Sequence, residues 1–238
     1  MQLIESVLTR SLCSALSFLL IGCATFEPTL HQQDLANGRV PTLTTAKEGL
    51  EISIEEFVSV KKSQQAFDEN LAGYGVLPLL VRVENKTGVA YRLARTQMKA
   101  SVKDETLPLL EGREAATQAG KDPSGRALGW TLATGPFALI LAPLTLVGSS
   151  AHTTSVNHRM EEYFGTIEFP DALVRPNEAV AGFIYFKIPL RLEKLENLVV
   201  EVAPINDNNN QTLFYRFELP ALEVEIPREL RERRPGGN

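Results

Sequence analysis

Residues 180–188 have the sequence Val-Ala-Gly-Phe-Ile-Tyr-Phe-Lys-Ile, and this stretch decides the fold class. Its side chains fall on two faces. Val180, Gly182, Ile184, Phe186 and Ile188 share one face, and Phe183, Tyr185 and Lys187 share the other. This two-residue period is typical of a β-strand that lays one face on a core. We therefore expect a strand here, with Tyr185 and Lys187 on an exposed face that is open to a partner.

The same alternation recurs in two blocks of the chain, residues 49–103 and residues 165–226. Turn-forming residues separate the short runs, notably 85–88, which predict a hairpin turn, and 206–210. Short strands divided by turns predict a mainly β fold, an immunoglobulin-like antiparallel β-sandwich. Such a sandwich needs about 100 residues. The two blocks are thus predicted to be one domain divided by an insertion at 104–164, with two small separate β units as the alternative.

The insertion contains an apolar segment at 127–149, and no charged residue occurs from 127 to 151. A single helix over 127–149 would be about 34 Å long, enough to cross a bilayer core of about 30 Å. However, Gly135-Pro136 and Pro143 interrupt it, and an interior proline breaks a helix. The pattern therefore predicts a helical hairpin. Short connecting helices are expected on either side, at Glu111–Ala119 and at Ser155–Tyr163.

Three interpretations of the apolar segment remain open. A hairpin with arms at 127–134 and 137–147 dips into the membrane interface or contacts an oligomer partner. Alternatively, the hairpin folds back over an open face of the sandwich, or the segment is a transmembrane helix. The predicted membrane or partner contacts are the large apolar side chains: Trp130, Phe137, Leu139, Ile140, Leu141, Leu144 and Leu146.

An apolar run near the start of the chain, from Leu12 through Leu20, ends in Leu20-Ile21-Gly22-Cys23. Small Gly22 lies directly before Cys23, and aliphatic Leu20 lies at the third position before it. This is where a secretory signal peptide would be cut. The motif L-I-G-C resembles the lipobox of bacterial lipoproteins. The resemblance implies that residues 1–22 are a signal peptide, that Cys23 is lipidated, and that the new N-terminus is acylated.

The resemblance also implies a location in the bacterial cell envelope, with the lipid bilayer bound through acylated Cys23. Because Ala24 rather than Asp follows that cysteine, it implies the outer membrane, facing the periplasm. Residues 23–48 are predicted to be a tether of little periodicity; the stretch 24–48 reaches about 85 Å when extended and would hold the body clear of the membrane. Residues 227–238 are predicted to be a flexible tail. The body broadly resembles cell-envelope lipoproteins.

Composition and motifs limit the kinds of partner and of chemical site that the sequence predicts. The net charge is −5, and no nucleic-acid-binding signature stands out, so no nucleic-acid partner is expected. Once Cys13 has left with the signal peptide and Cys23 carries lipid, no thiol remains for a disulfide, a thiol enzyme or a zinc site. His152 and His158 do not match a standard metal spacing, and no catalytic motif is found. We therefore predict no catalytic residue, no metal site, no cofactor and no enzymatic activity.

The predicted function is a non-catalytic interaction or assembly component that holds a protein partner, or an oligomer of itself, at the membrane. The alternative is an accessory or carrier part of an envelope transport system that binds an apolar ligand; a hydrolase is less favoured. A partner-binding module should expose an apolar patch. A carrier should contain an apolar cavity of roughly several hundred Å³, and an enzyme should contain a concave site where titratable groups converge.

Overall fold

The computed structural model describes residues 26–30, 35, 43–120, 155–190, 192–227 and 230. Glu27–Gly120 and Asn157–Asn238 form one compact unit, which is the body of the protein. The other unit, Met1–Phe26 and Lys121–Val156, lies almost entirely outside the described residues. The predicted signal peptide, Cys23, the apolar segment 127–149 and nearly all of the predicted tail therefore fall outside the description.

The described part of the chain is mainly β. Its strands are β1 (Leu43–Lys47), β2 (Leu50–Glu56), β3 (Val76–Asn85), β4 (Tyr91–Leu93), β5 (Met98–Val102), β6 (Glu105–Thr106), β7 (Leu109–Leu110), β8 (Ala172–Val174), β9 (Ala179–Lys187), β10 (Lys194–Leu195), β11 (Leu198–Val202), β12 (Ile205–Asn206), β13 (Tyr215–Leu219) and β14 (Leu222–Glu223). The helices are α1 (Val60–Phe67), α2 (Gly112–Ala119) and α3 (155–167), with 3-10 turns at Ala72–Tyr74 and Arg95–Gln97.

Two antiparallel sheets form the sandwich. Sheet I has the order β1-β2-β3-β9-β7 and sheet II has the order β13-β11-β5-β6. The strands can be lettered as in immunoglobulin domains: A is β2, B is β3, C is β5, C′ is β6, D is β7, E is β9, F is β11 and G is β13. Sheet I is then A-B-E-D, with β1 as an extra edge strand, and sheet II is G-F-C-C′. This is the strand order of an immunoglobulin-like sandwich. The predicted fold class is confirmed for the described residues.

The core between the sheets follows the predicted alternation. Leu79 and Val81 of β3, Ile184 and Phe186 of β9, and Val200 of β11 are all at most 1% exposed and belong to one apolar cluster. Ile54 of β2 pairs with Val81, which in turn pairs with Gly182 of β9. Each large aliphatic side chain buried in this way stabilises the fold by about 1.5–3 kcal/mol.

The outer face of β9 is buried at Phe183 and Tyr185, so the prediction that Tyr185 lies on an exposed face is wrong. Tyr185 is 0% exposed, and its ring stacks on Phe164 of α3 at a centroid distance of 5.6 Å. Phe183 meets Phe67 of α1 at 4.8 Å. The two helices expected as connectors, α2 and α3, form a third layer together with α1, and both faces of β9 are apolar because both are covered. Lys187 is exposed, as predicted.

The chain does not make the hairpin predicted at 85–88. The neighbours of β3 in sheet I are β2 and β9, whereas β4 pairs with β8 and β12. Asn85 is instead the last residue of β3. Its side-chain amide donates to the carbonyl oxygens of Val89, in the connection that follows β3, and of Val174 in β8. The predicted boundaries also shift: β1 lies within the predicted tether 23–48, and β6 and β7 lie within the predicted insert 104–164.

Candidate functional site

The predicted lipidation site, Cys23, and the predicted contact residues Trp130, Phe137, Leu139, Ile140, Leu141, Leu144 and Leu146 lie outside the described residues. The structure does show the residues of the body next to these segments, Glu27 on one side and Gly120 with Asn157 on the other. These residues lie at the helical layer on sheet I, at the end where β3 begins and β9 ends. We call this the attachment end and define it by residues 68–75, 118–120 and 187–190.

Residues 27–30 are fixed on the helical layer. The backbone N–H of Glu27 donates to Asp68 Oδ2 at 3.3 Å, and the N–H of Thr29 donates to the carbonyl oxygen of Gln65 at 3.0 Å. The hydroxyl of Tyr163 in α3 lies 2.7 Å from the carbonyl oxygen of Leu30, and its burial raises the pKa of Tyr163. Hydrogen bonds thus fix residues 27–30 of the predicted tether to α1, to Asp68 at its end and to α3, whereas Cys23 lies outside the described residues.

The two ends of the body that flank residues 121–156 lie close together. The Gln118 Nε2 group, in the last turn of α2, donates to the carbonyl oxygen of Tyr74 at 2.8 Å. A methyl group on Gly120 would lie 3.6 Å from Asn157 Nδ2 at the start of α3. Gly120 and Asn157 belong to the same compact unit, so the residues on either side of 121–156 adjoin at the attachment end.

An exposed apolar side chain lies at this same end. Gly75 adopts a positive φ of 81°, and its carbonyl oxygen accepts from the N–H of Ile188 at 2.9 Å. A methyl group on Gly75 would approach Leu190 Cδ2 to 2.9 Å, so Leu190 lies directly beside the turn. Leu190 is 54% exposed, and Lys187 is also exposed. The attachment end thus presents one large aliphatic side chain and one cation to its surroundings.

A charged cleft of about 630 Å³ lies toward the other end of the helical layer. It is lined by Arg95, Glu111, Arg113, Glu161, Glu162, Gly165, Thr166 and Glu168. The carboxylate of Glu168 accepts from the guanidinium of Arg95 and from the N–H of Gly112, the latter at 3.0 Å. The cleft suits a polar ligand rather than an apolar one. Sequence reasoning missed it because its residues come from separate segments that share no local motif.

One side of sheet II has an exposed edge, which begins at the end of the sandwich opposite the attachment end. Strand β13 has β11 as its one neighbour among the described sheets. Phe214, just before β13, is 70% exposed, and its carbonyl oxygen accepts from Lys47 Nζ. The hydroxyl of Tyr215 donates to the carbonyl oxygen of Leu50 at 2.8 Å, and Leu50 pairs with Asn85 at the end of β3. We call Phe214 together with β13 the open edge.

Two absences hold for the part of the chain that the structure describes. Within it, no three His, Cys, Asp or Glu side chains are grouped so as to hold a metal ion. None of the helices in the described ranges is long and apolar enough to cross a membrane. His158 belongs to this part, is exposed, and lies 3.3 Å from Glu162 in the next turn of α3.

No protein-family model matches this chain, and no curated protein matches it at a significant level.

Proposed function

We propose that the chain is a bacterial cell-envelope lipoprotein, anchored through acylated Cys23 in the outer membrane and facing the periplasm, and that its sandwich is a non-catalytic interaction component. The observation that carries the proposal is the open edge. It combines a strand with one sheet neighbour in the described sheets and a large aromatic side chain that is 70% exposed. Exposed strands with an adjacent apolar anchor bind proteins by adding a strand to the sheet.

The position of the open edge supports this function. Phe214 and Tyr215, where the open edge begins, lie near the Asn85 end of β3, and the ten residues of β3 span about 30 Å from the attachment end. A protein that is anchored at one end and binds at the other presents its partner surface away from the bilayer. The side chains along β13 add specificity, since Arg216 and Glu218 are both exposed and Arg216 pairs with Glu201 across the sheet.

The charged cleft does not have the lining that the alternative of an apolar carrier predicts. A pocket for an apolar ligand is lined mainly by apolar and aromatic side chains, whereas six of the eight residues around this cleft are Arg or Glu. A hydrolase would need free acid and base groups in such a cleft. Of the four glutamates in the cleft, Glu168 is engaged by Arg95 and by the N–H of Gly112, so it does not supply such a free group.

The anchor is tested with Cys23→Ser and a cleavable signal peptide that receives no lipid. Membrane pellets are washed at high pH and assayed for the exported chain. The proposal expects most of the protein to leave the pellet, while the wild type remains. If the variant stays bound and is released only when residues 127–149 are also deleted, the insert is a second anchor. If wild-type and variant chains are both fully soluble, the lipoprotein assignment is wrong.

The interaction is tested by crosslinking in cells from a photoreactive residue placed at Arg216, with Lys99 as the matched control position. Lys99 is an exposed residue on β5, in the interior of the same sheet. We expect a discrete adduct from position 216 and none from position 99, and we expect Phe214→Glu to abolish it. An adduct that survives Phe214→Glu, or the absence of any adduct from position 216, would contradict the proposed role of the open edge.

A further inference from the structure

We infer that the attachment end lies directly against the bilayer, with Leu190 in the headgroup region, so that the sandwich stands in one orientation instead of swinging on a long tether. The inference rests on the proposed function, because it takes Cys23 to carry the lipid. The partner of this surface is a phospholipid bilayer. Three observations on the body support it.

The first observation is the short reach of the chain from Cys23 to the body. Glu27 is held by Asp68 and follows Cys23 by four residues. Four extended residues span about 14 Å. A lipidated cysteine lies at the membrane surface, so Glu27, and with it the contact to Asp68 at the attachment end, stays within about that distance of the headgroups.

The second observation is the meeting of Gly120 and Asn157. A segment that crossed the membrane once would place these two residues on opposite sides of an apolar core about 30 Å thick. Gly120 and Asn157 adjoin instead, since a methyl group added at Gly120 would lie 3.6 Å from Asn157 Nδ2. The apolar segment itself lies outside the described residues. The body shows that Gly120 and Asn157, on either side of residues 121–156, lie together at the attachment end.

The third observation is the chemistry of the attachment end. Leu190 is 54% exposed and offers apolar area to the interface, while the ammonium group of Lys187 is attracted to anionic headgroups. Asp68 and Glu69 lie at the same end and offset that attraction. The contact therefore depends on the lipid and on apolar area more than on charge, and we expect it to persist at high salt.

The experiment uses the full lipidated chain, purified from cells and reconstituted into vesicles of phosphatidylethanolamine and phosphatidylglycerol. A fluorescent label is attached either at Lys187→Cys, at the attachment end, or at the exposed Asn208→Cys, near the open edge. With Cys23 lipidated, the new cysteine is the one free thiol of the mature chain. Quenchers fixed on the lipid tails and iodide in the water then report the depth of each label.

We expect the label at 187 to be quenched by the lipid and shielded from iodide, and the label at 208 to behave as it does in solution. Leu190→Glu should remove the shielding at 187. Leu173→Glu, a matched change of an exposed leucine in β8 near the opposite end, should leave it unchanged.

Two results would overturn the inference, and they differ in what they say of the proposed function. If the chain floats with the vesicles but labels 187 and 208 are equally accessible to iodide, the lipid anchor holds and the orientation is wrong. If the chain does not float with vesicles at all, the lipidation itself is wrong, and both proposals fail together.

Discussion

The side-chain amide of Asn85 donates a 2.9 Å hydrogen bond to the carbonyl oxygen of Val174, which lies 89 residues later in the chain. The same amide donates to the carbonyl oxygen of Val89 at 2.7 Å, and its oxygen accepts from the N–H of Thr87 at 2.9 Å. Asn85 is fully buried. This one side chain therefore joins the end of β3, the crossing to sheet II and β8, which come from both sides of the insert.

Replacing Asn85 should destabilise the body strongly. Asn85→Ala removes the amide donor to the carbonyl oxygen of Val174 and one of the two donors to that of Val89, which Thr87 Oγ1 also reaches. We expect the free energy of unfolding to fall by about 2–4 kcal/mol. The measurement is urea unfolding of the unlipidated Cys23→Ser chain. The control is the exposed Asn208→Ala, for which we expect a change within about 0.5 kcal/mol.

Asn85→Asp should show a characteristic pH dependence. An ionised carboxylate would face the carbonyl oxygens of Val89 and Val174, and burial would raise its folded-state pKa above the unfolded value. A group with a raised folded pKa binds its proton more readily in the folded state, so the variant should regain stability as the pH falls. Equal destabilisation of Asn85→Asp at pH 4 and pH 7 would show that the amide donors are not responsible.

The strands of this fold are visible in the sequence because their inner faces alternate. Ile184 and Phe186 lie in the core as the period of two predicts. The prediction for Tyr185 was wrong because a strand that is covered on both faces has apolar side chains on both. The aromatic residues Phe183 and Tyr185, on the face opposite Ile184 and Phe186, already indicated that this second face is covered. The helices at 111–119 and 155–163 were expected, but only tertiary contacts show that they cover this face.

The attachment end was not predictable from local patterns. Residues 27–30 have no periodicity, and their position depends on hydrogen bonds to Gln65, Asp68 and Tyr163, which are distant in sequence. The meeting of Gly120 and Asn157 likewise depends on how α2 and α3 pack on sheet I. Sequence patterns identified which segments are apolar, whereas contacts among the described residues determine where Glu27, Gly120 and Asn157 lie on the body.

Gly182 should not tolerate a side chain. A methyl group at this position would lie 2.4 Å from the Cα of Phe169 and 2.6 Å from its backbone nitrogen. Backbone atoms cannot move aside as a flexible side chain can, so Gly182→Ala should lower the free energy of unfolding by about 3 kcal/mol. Gly88→Ala is the matched control, because nothing lies within 4 Å of its methyl group. Similar urea midpoints for the two variants would contradict the close approach of Phe169 to β9.

The hydroxyl groups of two buried tyrosines should make opposite contributions to stability. The Tyr185 hydroxyl is buried with no hydrogen-bond partner among the described residues, whereas the Tyr215 hydroxyl donates to Leu50 at 2.8 Å. Tyr185→Phe should raise the free energy of unfolding by about 1 kcal/mol, because it removes a desolvated polar group. Tyr215→Phe should lower it by about 1 kcal/mol. Equal losses in the two variants would indicate that the Tyr185 hydroxyl has a partner.

The carboxylate of Glu84 should respond to the loss of Arg82. Partial burial acts to raise the pKa of Glu84, but the hydrogen bond and charge of Arg82, assisted by Lys86, outweigh burial and lower the pKa below its ordinary value. Arg82 Nη1 lies 2.9 Å from Glu84 Oε2. Because the folded pKa is depressed, the pair stabilises the fold above the unfolded pKa of about 4.3, and this stability is lost as the pH falls through the folded pKa.

Arg82→Gln should therefore shift the Glu84 titration upward in pH, measured by NMR of the side-chain carboxyl carbon. Glu196 is the internal control, since the hydrogen bond and charge of Lys194, followed by the charge of Lys103, lower its pKa, and neither residue contacts Arg82. We expect the Glu196 titration to stay unchanged in the variant. A shift of both carboxyl groups would indicate a general change of the fold, and a shift of neither would show that Arg82 does not hold Glu84 in its charged form.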